Sequence, residues 1–299
     1  MKSKALPRRQ FLGALAAAPL AGARPRYQPK LAAQVYVWTQ VFNQQKKPLL
    51  EGLPEVFEST RKAGYRRMEL VSSFVTGDAL PRTKELIRKH GIQIPIVYHG
   101  GPLHEAAAAE KTIAEILSVA EAAKSIGASI IEANPNPKPK REAKTGAELE
   151  VQAQSVNQLA GALARSGQRL ILHHHDPEMA DNAREWRHVL NNTDPKLVGL
   201  CIDFDWVLQG GQEPFALLKE AGPRVESFHL RNARNRVWTQ SVGEGEYDYP
   251  ALARFLRDHG FTGYLVVELA HHKDTQITRP LGDNLRLSRE YVEKTFSLR

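Results

Sequence analysis

Five short apolar runs each close on ionisable side chains. They are Ile130-Ile131-Glu132, Leu172-His173-His174-His175-Asp176, Cys201-Ile202-Asp203-Phe204-Asp205, Phe228-His229-Leu230 and Val266-Val267-Glu268. A carboxylate or imidazole in such a place is costly to bury unless it is paired or holds a metal. One case alone would read as a salt-bridged or solvent-facing end residue; five together point to a shared site. The donors are carboxylate oxygen and imidazole nitrogen. That set suits one divalent ion of Mn, Mg, Co or Zn and disfavours Cu(I) or an iron–sulfur cluster. Such an ion would polarise a carbonyl and the hydroxyl beside it, easing removal of the α-proton, while nearby carboxylates or histidines move that proton.

A scaffold must bring these run ends together. Strands are predicted over 33–38, 67–71, 93–98, 129–132, 170–174, 198–203, 225–230 and 264–269. Most are continuous apolar runs, as expected when both faces of a parallel sheet are covered. Helices are predicted over 53–63, 82–90, 105–126, 147–166, 181–190, 214–221, 249–259 and 284–296. The first three stop at Gly64, Gly91 and Gly127, residues suited to the left-handed position that follows a helix. Eight strand–helix units imply an α/β fold, a single-domain (β/α)8 TIM barrel, whose functional groups sit at the C-terminal ends of the strands. No G-x-G-x-x-G follows the first strand, which disfavours an open doubly wound sheet. After the fourth strand, Pro135, Pro137 and Pro139 alternate with Lys138, Lys140 and Arg141. That loop reads either as a stiff solvated connection or as a lid whose bases meet an anionic or polyhydroxy substrate.

Residues 1–23 stand apart from the fold. Lys2, Lys4, Arg8 and Arg9 precede a short Ala-rich apolar stretch, and Ala21-Gly22-Ala23 offers small residues for cleavage. Arg8-Arg9-Gln10-Phe11-Leu12 resembles a twin-arginine signal, so a periplasmic or secreted protein is expected, its barrel occupying 24–299. Removing the four bases of that segment from the formal charge of +8 leaves +4, which gives little support to nucleic-acid binding. No apolar run reaches the roughly 18 residues of a membrane span. The single cysteine, Cys201, cannot form an intrachain disulfide and lies in an apolar run, where a buried, inert thiol is expected. A homodimer is possible, though nothing in the sequence dictates one.

From the fifth strand onward the chain resembles the sugar phosphate isomerase/epimerase family, with its xylose isomerase-like barrel. Leu172-His173-His174-His175-Asp176-Pro177-Glu178 matches a family motif in its histidine pair and glutamate. Asp203 to Trp206, Arg224-Val225, His229-Leu230, Gly243-Glu244-Gly245-Glu246-Tyr247-Asp248 and Gly263-Tyr264 to Glu268 follow in the family's order. The resemblance implies Asp203, His229 and Glu268 as metal ligands. Glu132 or His173 would supply a fourth, many relatives having Glu where this chain has His173. It further implies Glu268, with Glu132 or His175, in proton exchange, and His175, Trp206, Arg231 and Glu178 as contacts for a small carbohydrate. Relatives carry Leu-Lys-Asp where this chain has Leu230-Arg231-Asn232. Arginine stays protonated, so a proton shuttle there is lost while anion or hydroxyl binding survives. The expected activity is sugar isomerisation or epimerisation. Alternatives are a keto-sugar dehydratase or 3-keto-glycoside lyase, a phosphodiesterase of the DNA-repair type sharing this barrel, and a non-catalytic sugar-binding protein.

Overall fold

The computed structural model describes residues 26–298, so the predicted export segment lies outside the described residues. Eight strands are parallel and hydrogen-bonded into a closed barrel. They are β1 (Lys30–Gln34), β2 (Arg67–Val71), β3 (Gln93–Tyr98), β4 (Ile130–Ala133), β5 (Arg169–Leu172), β6 (Val198–Asp203), β7 (Val225–Leu230) and β10 (Tyr264–Val267). The ring closes where Lys30 to Ala33 of β1 pair with Tyr264 to Val267 of β10. Two short antiparallel strands, β8 (Ala233–Arg234) and β9 (Val237–Trp238), form a hairpin in the loop after β7.

The helices form the outer layer. In the first half they are α1 (Tyr36–Gln45), α2 (Leu49–Lys62), α3 (Ala79–His90), α4 (Ala106–Lys124) and α5 (Gly146–Arg165). The second half adds α6 (Asp176–Asn192), α7 (Phe204–Gln209), α8 (Pro214–Ala221), α9 (Tyr249–Asp258) and α10 (Leu281–Thr295). This is the (β/α)8 TIM barrel that the alternating pattern implied. Among the described residues no helix is long and apolar enough to cross a membrane.

The first predicted strand is the main departure. Residues 36–38 open α1 because Val37, Trp38 and Phe42 pack inward, and that burial overrides the strand preference of an aromatic, β-branched run. The short helix α7 was not anticipated. It forms because Asp203, at the end of β6, accepts from the backbone N–H groups of Asp205 (2.9 Å) and Trp206 (3.4 Å), capping the new helix.

Most of the apolar core lies between sheet and helices. Inside the barrel, Ala32, Ile96 and Val266 make a small separate plug, flanked by Ile130 and Tyr264. A larger polar layer sits above it toward the strand C-termini, so the lumen is filled but not uniformly apolar.

Gly263 makes the return into β10 possible, since a Cβ there would lie 2.0 Å from the Glu226 carbonyl oxygen. Gly263→Ala should therefore force backbone movement and cost about 1–3 kcal/mol. Chemical denaturation of the purified protein checks this. An unchanged midpoint would show that the strand return tolerates a side chain.

Candidate metal centre

The polar layer gathers round His229, near the end of β7. Its Nε2 lies 2.9 Å from Glu132 Oε1 of β4 and 3.1 Å from Glu69 Oε2 of β2. Both carboxylates are fully buried, and Ser227 Oγ donates to Glu132 at 3.2 Å. On the other side of the ring, Nδ1 lies 2.8 Å from Glu268 Oε2 without hydrogen-bond geometry. With Nε2 of a neutral ring donating downward to Glu69, Nδ1 would present a lone pair to another acceptor. Two buried acceptors that close call for a proton or a metal ion between them.

One donor atom each from His173, Asp203, His229 and Glu268 fall within 4.8 Å of one another, all four residues buried. His173 Nε2 is 3.8 Å from Asp203 Oδ2, and neither ring nitrogen of His173 has a hydrogen-bond partner. Burial, reinforced by His229 and His175, holds His173 well below the ordinary imidazole range, so it stays neutral and able to ligate. Burial pushes Asp203 upward against Arg231, whereas Arg231 and His229 overcome burial to keep Glu268 low. Two imidazoles and two carboxylates, with orphaned nitrogens, fit a divalent ion of the Mn, Co or Zn type. The carboxylates under His229 would fix its ring and tautomer, as acidic groups behind metal-bound histidines do.

A second group, Glu132, His173, Cys201 and His229, also brings its donor atoms within 4.8 Å of one another, one layer deeper. Its thiol is buried and pushed upward chiefly by that burial, so it offers no ready thiolate, and the upper group is the better site.

Arg231 closes the top. Its Nη2 donates to Asp203 Oδ2 at 2.7 Å and also to Glu268 Oε2. Its guanidinium carbon stands 5.2 Å from the Trp206 ring and 4.9 Å from the Trp238 ring. Trp238 is fixed in turn by Asp205, whose Oδ2 accepts from its indole N–H at 2.9 Å and whose Oδ1 accepts from Tyr247. Among the described residues a cleft of about 660 Å³ is lined by Trp238 and the loop after β7, while two others, about 850 and 650 Å³, contain none of these residues. Of those two, one lies at the N-terminal end of the barrel, the other between α1, α2 and residues 277–286.

A sequence model of the xylose isomerase-like TIM barrel family matches residues 57–294. The chain belongs to that family. This xylose isomerase-like barrel spans about half the length of the curated relatives it matches. The inosose dehydratase of Clostridium perfringens is 26% identical over 161 residues, 48% of this chain and 54% of its own. Among solved structures, a sugar phosphate isomerase/epimerase from Parabacteroides distasonis superposes with a TM-score of 0.67 at 20% identity, covering 94% of this chain and 98% of its own. The 3-keto-D-glucoside 4-epimerase of E. coli gives 0.69 at 17% identity, covering 89% and 100%. At these identities the structural likeness shows the fold alone.

The barrel places the predicted residues unequally. Asp203, His229 and Glu268 meet, and His173 joins them. Glu132 does not enter that group, because its strand position sets it beside Ser227, two residues before His229 on β7. His175 and Trp206 face each other edge-on at 5.1 Å, with His175 4.9 Å from His173. Glu178, expected to touch substrate, is turned inward instead. Its Oε2 accepts from the His175 N–H at 3.1 Å and its Oε1 from Asn134 Nδ2 at 3.3 Å, locking the start of α6. The expected bases of the 134–144 loop likewise meet the protein's own acids: Lys138 with Glu148, Arg141 with Asp176. The neighbouring Lys144 pairs with Glu185, which leaves Lys140 as the exposed base of the loop without an acidic partner. Sequence reasoning missed Glu69, Trp238 and the Asp205–Tyr247 pair. Glu69 carried a signal, an acid inside the apolar run of β2.

Glu178 also gives a stability test. Burial, with Glu185 adding to it, raises its carboxyl from the ordinary 4.5 to about 8. The folded state then holds a proton that the unfolded chain has released, and stability falls as pH rises from about 4.5 to 8. Glu178→Gln removes this term, and Asn134 can flip to present its unpartnered Oδ1 to the new amide. The variant's denaturation midpoint should gain on the parent's as pH rises through that window. Parallel profiles would contradict the buried, protonated carboxyl.

Proposed function

We propose that the protein is a divalent-metal-dependent enzyme that removes a proton α to a carbonyl of a small carbohydrate, giving isomerisation or epimerisation. The observation that carries the reading is the convergence of His173, Asp203, His229 and Glu268 on one point at the C-terminal end of the barrel. Those four residues would hold the ion, which when bound supplies polarisation of the carbonyl and its neighbouring hydroxyl.

The remaining work falls to the chain. His175, lowered to about 4 mainly by burial, is neutral at physiological pH, so its imidazole is free to take a proton from carbon. Glu268 stays ionised between Arg231 and His229 and offers a second carboxylate on the reacting centre. Glu132, fully buried beneath His229, acts by orienting that ring rather than by touching sugar. Trp206 and Trp238 form an aromatic wall suited to the C–H face of a sugar, and the Trp206 indole N–H, without a partner, can donate to a hydroxyl.

Dehydration is the second reading, favoured by the similarity to an inosose dehydratase. The same proton loss would be followed by departure of a β-hydroxyl. One experiment serves both: the protein with Mn²⁺ and a panel of keto-sugars and keto-inositols in D₂O, followed by proton NMR. Deuterium should enter beside the carbonyl, with water lost as well if the enzyme is a dehydratase. Chelator and Asp203→Ala should abolish exchange. His175→Asn should slow it by about 10²–10⁴-fold while leaving metal binding intact. Absence of exchange across the panel would overturn the proposal.

A further inference from the structure

Arg231 competes for the atoms a metal would need. Its Nη2 contacts Asp203 Oδ2 at 2.7 Å and Glu268 Oε2 as well, and those carboxylates are two of the four converging donors. The residue is buried, and a guanidinium keeps its charge at any pH a protein meets. It also has a second resting surface, because its planar group already lies over the Trp206 and Trp238 rings.

We infer that Arg231 is a resident counter-cation of the metal centre: it pairs with both Asp203 and Glu268 and must yield them when a divalent ion binds. This rests on the metal reading above. Two consequences follow from the geometry. The barrel stands folded without the ion, since the buried carboxylates are never left unpaired. Ion affinity is weakened by the work of displacing the guanidinium, which on release stays stacked on the indoles with donors free for a substrate oxygen. The unpartnered Nε–H of Arg231 is one such donor.

The test compares the intact protein with Arg231→Gln and Arg231→Lys after chelator treatment. Mn²⁺ affinity is measured by calorimetry and melting temperature with and without EDTA. Arg231→Gln should bind Mn²⁺ at least about tenfold more tightly than the parent. Its melting temperature should drop sharply in EDTA, whereas the parent's should move by no more than about 2 °C. Arg231→Lys, which keeps the charge but loses the planar group that rests on the two indoles, should bind Mn²⁺ with intermediate affinity; it carries the test if the glutamine variant fails to fold. Metal uptake by a variant but not by the parent would support the inference in its strongest form. Equal affinity in parent and variants, with equal response to EDTA, would overturn it while leaving the metal reading intact. No Mn²⁺ uptake by any of the three proteins would overturn both.

Discussion

Burying a carboxylate without a cation is among the most expensive things a fold can do, and this barrel gathers four of them, Glu69, Glu132, Asp203 and Glu268, around His229. The surrounding structure follows from that load. Below, the imidazole Nε2 faces Glu69 and Glu132, and Glu69 is raised by burial and by the Glu132 charge. Above, Arg231 spans Asp203 and Glu268. What is left is a point where two carboxylates and two imidazoles converge, with both ring nitrogens of His173 and Nδ1 of His229 unpartnered. A divalent ion is the physical solution that this donor set fits.

The loop after β7 exists to deliver Arg231 and Trp238. Asn232 organises it: its Oδ1 accepts from the N–H groups of Ala233 (2.9 Å) and Tyr247 (3.1 Å), and its Nδ2 donates to the Val242 carbonyl. Gly245 is required there because a Cβ would lie 1.9 Å from Asn232 Oδ1. The glycine-containing loop that resembles the family pattern thus has a mechanical role. It lets the chain fold against Asn232 so that Tyr247 reaches Asp205 and Asp205 holds Trp238.

Charged groups that close apolar runs were readable from sequence because the cost of burying them is local and demands an explanation. The meeting of Asp203, His229 and Glu268 followed from that pattern, and seven barrel strands from the alternation of apolar runs with helical stretches. Glu69 escaped because it stands mid-strand rather than at an end, where attention to strand termini does not fall. Glu178 was assigned to substrate, and the loop bases Lys138 and Arg141 were given a lid as one of two readings, since their types suit it. Only three-dimensional pairing shows them engaged with His175, Glu148 and Asp176. The choice between Glu132 and His173 had the same origin: both close strands, but the β4 and β5 registers set them at different depths in the lumen.

Anomalous diffraction at the manganese edge, from crystals grown with Mn²⁺, tests the central claim most directly. The account predicts one peak, about 2.0–2.3 Å from a donor atom of each of His173, Asp203, His229 and Glu268, with Arg231 drawn back onto the indoles. A peak coordinated by Glu132 and Cys201, or no peak in the barrel at all, would contradict it.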